Sequence, residues 1–245
     1  GMKSQIEAVN DLVKGRDIDA IVMSAGGNDV GFGSILTSCA LQNNCPLATA
    51  TAPPLSTYPT IQTGIQALTA ELPTGYSLIN KCFTDATCTG TQNQSLPGLS
   101  LSPIGQVFLN SYPDPTRSET GSTCSYLTIS REDFAWAHGT ILDPSPVDPF
   151  MYRTTQGQLV PLATGAGSLN EAIANTNQIG WKPIMGTWSE TGTGSTGHGV
   201  CAGAQSWIFG LTGIFGFTSG SFHPNPLGQK KFSAIIYREM VASGF

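Results

Sequence analysis

The 245 residues include 40% hydrophobic but only 11% charged side chains, well below the usual charged share of a soluble chain. The net charge is −5, and no run of Lys or Arg occurs, which excludes the concentrated basic patch that nucleic acid or an anionic membrane demands. No apolar run approaches the ~18 residues of a membrane-spanning helix, so no transmembrane segment is predicted.

In chain order, Ser4-Gln5-Ile6-Glu7 has the form of a capping box. Ile6, Val9, Leu12 and Val13 follow at helical spacing, predicting an amphipathic helix that runs to about Lys14 and stops at Gly15. Residues 18–24 (IDAIVMS), from Ile18 to Ser24, are a nearly continuous apolar run, the pattern of a strand buried on both faces of a parallel sheet. That strand ends in a glycine-rich turn, Ala25-Gly26-Gly27-Asn28-Asp29. The stretch 39–104 is dense in Pro, Thr, Asn and Gly and reads as a long loop insertion, holding one helix over 60–72 that Pro73 ends. Residues 105–112 (GQVFLNSY) are the second strand, closed by Pro113. Ser130 opens a helix through Phe134 and Trp136, and 143–167 is a second loop insertion. Ser168 caps a helix through Ala172 and Ile173, and 181–187 (WKPIMGT) is the third strand. A Gly/Ser/Thr stretch leads to Gly203, and the last helix spans 227–241. No repeat or linker divides residues 1–245, which are read as a single domain. Strands alternating with helices predict an α/β fold with a parallel sheet, whose functional groups gather at the carboxyl ends of the strands.

The cysteines stand at Cys39, Cys45, Cys82, Cys88, Cys124 and Cys201. None forms a CxxC pair and no His lies at zinc-finger spacing, so a structural metal is not expected. Cys39/Cys45 and Cys82/Cys88 each bracket a short polar loop, and the simplest pairing adds a long Cys124–Cys201 bond. Other connectivities and buried free thiols stay open. Disulfides would imply an oxidising, extracellular setting, which the Gly, Ser, Thr, Asn and Pro content also suits.

Two places carry groups suited to chemistry. In Gly26-Gly27-Asn28-Asp29 the glycines allow a tight turn and close approach of a ligand, and the Asn28 amide can donate to a developing oxyanion. The plainer alternative is a turn whose Asn and Asp satisfy their own backbone. In Ser221-Phe222-His223-Pro224-Asn225, a histidine held ahead of a proline at a helix start is placed as a general base, against the alternative of an exposed loop histidine. His198 is read as a structural loop or rim residue, and His138, beside Trp136, as a packed or surface residue.

The GGND turn after a buried strand and the FHPN block ahead of the last helix resemble the SGNH (GDSL-like) hydrolase family. NSYPDP at 110–115, Cys124, SLNEAI at 168–173 and GHGVC at 197–201 are similar to its secreted bacterial branch. The likeness runs from about Gln5 to the C-terminus. It implies a three-layer α/β/α sandwich around a flavodoxin-like parallel sheet of strand order 2-1-3-4-5. It also implies a serine esterase or lipase acting on an acyl or O-acetyl ester, with no cofactor. It assigns Asn28 to the oxyanion hole, within the Gly26, Gly27 and Asp29 turn, and His223 to the base that takes the serine proton and returns it to the leaving alcohol.

The chain departs from the family pattern at two points. In the family the GDS block and a following glycine block precede the GGND block. Here 25 residues precede Gly26, occupied by one helix and one strand, and no GDS string occurs anywhere. Ser24 matches a structural position, and Gly167-Ser168-Leu169 caps a helix in another part of the fold. The N-terminal strands, the signal peptide and the nucleophile are therefore expected to lie outside this chain, leaving it inactive alone. Second, Gly220 stands where many relatives have the acid three residues before the histidine, so a backbone carbonyl or a remote Glu190 must orient the imidazole. Without its two neighbours, the strand Ile18 to Ser24 becomes an apolar edge expected to pair with another chain. The contrasting reading is a pseudo-hydrolase that binds an acylated or glycan ligand without turnover.

Overall fold

The computed structural model describes residues 4–90, 94–146, 150–162, 167–192, 196–211 and 221–245. Helix α1 (Gln5–Val13) begins with the capping box, Ser4 and Glu7 each bonding the other's backbone N–H. It leads into β1 (Ile18–Met23), α2 (Phe32–Leu41) and a long α3 (Ile61–Thr84). A short hairpin, β2 (Thr87–Thr89) and β3 (Ser95–Pro97), precedes β4 (Leu101–Asn110). Helix α4 (Arg131–Trp136) widens into a π turn (Ala137–Leu142). A second hairpin, β5 (Phe150–Arg153) and β6 (Leu159–Leu162), is followed by α5 (Leu169–Ala174), β7 (Lys182–Ile184), α6 (Gly186–Gly192) and α7 (Pro226–Ala242).

The central sheet has the order β1-β4-β7, all parallel. This is the order expected once the first two strands of the 2-1-3-4-5 pattern are set aside. Ile21, Val22 and Met23 stand opposite Val107, Phe108 and Leu109, and Leu109 and Asn110 stand opposite Pro183 and Ile184. The two-residue alternation of β4 decides what each face meets. Val107 and Leu109, with Ile21 and Met23, join a core with Ile6 and Val9 of α1, Leu72 and Tyr76 of α3, and Leu169 and Ile173 of α5. Phe108 points the other way and meets the ring of Phe245, just beyond α7, at 6.0 Å. On that side a second core joins Ile35, Phe134, Trp136, Trp188, Phe232 and Ile235. The result is a helical layer on each side of the sheet.

Several readings of the sequence need correction. Strand β1 is not buried on both faces, because it lies at the edge of the sheet and none of its residues is fully covered. The third strand ends at Ile184, and Gly186 and Thr187 open α6 instead of extending it. Pro73 does not end its helix: α3 runs through it to Thr84. The missing N–H of Pro73 is outweighed by packing further on, where Tyr76 and Phe83 lie against Trp181 at 5.8 and 5.9 Å. The stretches read as loop insertions also hold pairing of their own, β2 with β3 and β5 with β6. All six cysteines are bonded, Cys39–Cys45, Cys82–Cys88 and Cys124–Cys201. Strand β1 is the sheet's edge, and Val22 on it is 47% exposed.

Candidate active site

The GGND turn lies at the carboxyl end of β1 and is gripped by two phenols. Tyr76 Oη donates to the Ala25 carbonyl at 3.1 Å, and the Gly27 N–H donates to Tyr112 Oη at 2.8 Å. Both glycines are needed for this grip. Gly26 has φ +111°, and a Cβ there would stand 2.5 Å from Tyr76 Oη. A Cβ on Gly27 would stand 2.6 Å from the Tyr112 ring. The carbonyls of Gly26, Gly27 and Asn28 accept from the N–H groups of Val30, Phe32 and Gly31, each at 3.0 Å, so the turn runs directly into α2. The side chains of Asn28 and Asp29 are exposed and make no hydrogen bond among the described residues. The plainer reading, in which both satisfy their own backbone, is therefore not what the chain adopts. The Gly27 N–H is spent on Tyr112, so that glycine serves the turn, and the Asn28 amide is left free to meet a ligand.

His223 is fixed from the other end of the chain. The segment before α7 pairs with residues 207–209: Phe222 N–H donates to Phe209 O at 3.0 Å, Phe209 N–H to His223 O at 2.8 Å, and Asn225 N–H to Trp207 O at 2.8 Å. Asn225 also caps α7, accepting from the Gly228 N–H at 2.8 Å. Phe222 sits in the left-handed region, φ +59°, a strained conformation for a bulky residue. It is buried against Phe134, with ring centroids 6.3 Å apart. This twist brings His223 Nδ1 to 2.9 Å from the Ser221 carbonyl. A carbonyl only accepts, so Nδ1 carries the proton and Nε2 is the basic nitrogen. Of the two orienting groups anticipated, the carbonyl is the one present. Glu190 is bonded to Arg238 instead, and Gly220 lies outside the described residues.

Asn28, Tyr112 and His223 line one cavity of about 330 Å³ whose remaining wall is mostly apolar, including Phe32, Ile35, Leu36, Ile129, Phe134 and Phe222. Ser24 also borders it, but no hydrogen bond joins its hydroxyl to the imidazole among the described residues. Ser168 is placed elsewhere, capping α5 through Glu171 and donating to the Asp143 carbonyl. His198 stacks flat on Trp207 at 3.9 Å, with Nδ1 2.9 Å from the Gln205 carbonyl, a structural placement. His138 is more than a packed surface residue: Nδ1 lies 2.7 Å from Oδ2 of the fully buried Asp114. Sequence reasoning assigned no part to that pair or to Tyr112, although Tyr112 and Asp114 both lie in the NSYPDP segment after a strand.

No family model matches the sequence, and no curated protein matches it. Among solved structures, phospholipase A1 from Streptomyces albidoflavus NA297 aligns at TM-score 0.49 with 16% identity, over 96% of this chain and 76% of that one. The extracellular lipase from Streptomyces rimosus aligns at TM-score 0.51 with 18% identity, again over 96% of this chain and 76% of that one. This second likeness extends through nearly all of the chain and shows that its α/β fold is the one on which that lipase is built.

Proposed function

We propose that the chain carries the oxyanion and base side of an SGNH-type serine ester hydrolase, a secreted enzyme of the esterase or lipase kind. One observation carries this reading. Asn28 and His223, from opposite ends of the sequence, line a single apolar cavity, with the imidazole tied through Nδ1 so that Nε2 is free to accept a proton. In the proposed mechanism a serine Oγ attacks the ester carbonyl and its proton passes to His223 Nε2. The Asn28 amide holds the tetrahedral oxyanion. Collapse expels the alcohol, which takes the proton from the imidazolium, and water then releases the acid by the same route in reverse. The apolar wall favours a hydrocarbon acyl group over a glycan, and three disulfides favour an extracellular setting.

Among the described residues no serine is placed as the nucleophile. No GDS string occurs, Ser168 is a helix cap, and Ser24 does not bond the imidazole. The reading therefore requires the serine to come from outside these 245 residues, and this chain alone to be silent. A fluorophosphonate probe tests this. The chain alone should stay unlabelled, whereas a form extended upstream to a GDS-like string should be labelled at that serine, and His223→Ala should suppress labelling. Labelling of the short chain that disappears with Ser168→Ala or Ser24→Ala would overturn the assignment. Silence from both forms would favour the binding-module reading, with Asn28 and His223 as ligand contacts.

A further inference from the structure

We propose that the Tyr112 hydroxyl is a further hydrogen-bond donor of this site, aimed at the acyl oxygen beside Asn28. The inference rests on the reading of the cavity as an acyl-ester site and adds to it a residue to which the mechanism above gives no part.

Tyr112 is held at three points. Its backbone N–H donates to Asn170 Oδ1 at 2.7 Å, and Asn170 Nδ2 donates back to its carbonyl at 3.1 Å. Asn170 is itself fully buried, so this double bond anchors the strand end against α5. The third point is the phenol oxygen, which accepts the Gly27 N–H at 2.8 Å. That bond fixes one lone pair and leaves the hydroxyl proton without an acceptor among the described residues. A phenol is both donor and acceptor, and a donor left unpaired beside an apolar wall costs free energy. Gly27, Asn28 and Tyr112 all line the cavity that His223 borders. A ligand oxygen held by the Asn28 amide is therefore the natural acceptor for the Tyr112 proton. The other phenol of the turn, Tyr76, is already committed to the Ala25 carbonyl.

The test needs no turnover. Hexanamide labelled with ¹³C at its carbonyl carries the same oxygen as an ester and resists hydrolysis. Bound to the wild-type chain, its carbonyl resonance should move downfield, as hydrogen-bond donation requires. In Tyr112→Phe, which keeps the ring against Gly27, the resonance should move back toward its free position and the Kd should rise about five-fold, as loss of one neutral hydrogen bond implies. Asn28→Ala should shift the resonance as well. Thermal unfolding of Tyr112→Phe checks that the fold is kept. Should Tyr112→Phe misfold, Asn170→Asp, which removes the Nδ2 donor to the Tyr112 carbonyl and so loosens the same anchor, should also reduce the downfield shift. A bound resonance unchanged in a folded Tyr112→Phe would overturn the role of Tyr112 and leave the acyl-site reading standing. No saturable binding by the wild-type chain would overturn both together.

Discussion

At the scale of single residues, the site depends on two short pieces of backbone that cannot tolerate ordinary side chains or ordinary angles. Gly27 has no room for a methyl group, because a Cβ would sit 2.6 Å from the Tyr112 ring. Gly27→Ala should therefore displace the turn and destabilise the chain by about 1–3 kcal/mol, as overpacking does. Differential scanning calorimetry would show this as a lowered unfolding midpoint. Two buried phenols give a pH signature as well. Burial pushes Tyr76 above the ordinary value of 10.0, and burial together with its hydrogen bond to Asp133 does the same for Tyr152. Each folded value is raised, so their contribution is complete below pH about 10 and is lost as pH rises through and beyond it, where the unfolded chain gives up protons first. Urea midpoints should fall as pH is raised above about 10, and less steeply in Tyr76→Phe.

At the scale of elements, what the sequence reveals is what neighbouring residues settle among themselves. The capping boxes at Ser4 and Ser168, the apolar run that forms β1, and the Gly-Gly and His-Pro signals are local and appear in the structure where expected, although β1 is not buried on both faces. Asn28 and His223 each sit on such a signal, which is why the sequence alone nominates them. The rest depends on distant partners. Helix α3 continues past Pro73 because its second half packs on Trp181, far along the chain. The carbonyl that orients His223 belongs to the backbone and leaves no mark in the residue code, and the twist at Phe222 is imposed by pairing with Phe209. The Asp114–His138 pair likewise joins a loop to the π turn after α4, and neither stretch of sequence signals the other. Disulfides at this scale differ in what they enclose. Cys124–Cys201 spans 77 residues, whereas Cys39–Cys45 spans six. By loop-closure entropy, Cys124→Ala/Cys201→Ala should cost about 4 kcal/mol in equilibrium unfolding and the Cys39→Ala/Cys45→Ala pair about 2 kcal/mol.

At the scale of the whole molecule, the open side of β1 sets the expected behaviour in solution. An edge strand with unpaired backbone groups and an exposed Val22 is a template for another strand. The chain by itself should self-associate with rising concentration in sedimentation velocity, and Val22→Lys should reduce that association. A chain that stays monomeric across the same range would refute the expectation. The fold otherwise places all three groups of the site, Asn28, Tyr112 and His223, on one cavity at the carboxyl ends of parallel strands, where α/β folds gather their chemistry. The most direct measurement is p-nitrophenyl butyrate hydrolysis by the form extended to a GDS-like string, set beside its His223→Ala and Asn28→Ala variants. Turnover that His223→Ala abolishes and that Asn28→Ala lowers by about 10²–10³ is the predicted result. Turnover that survives both substitutions unchanged would contradict it.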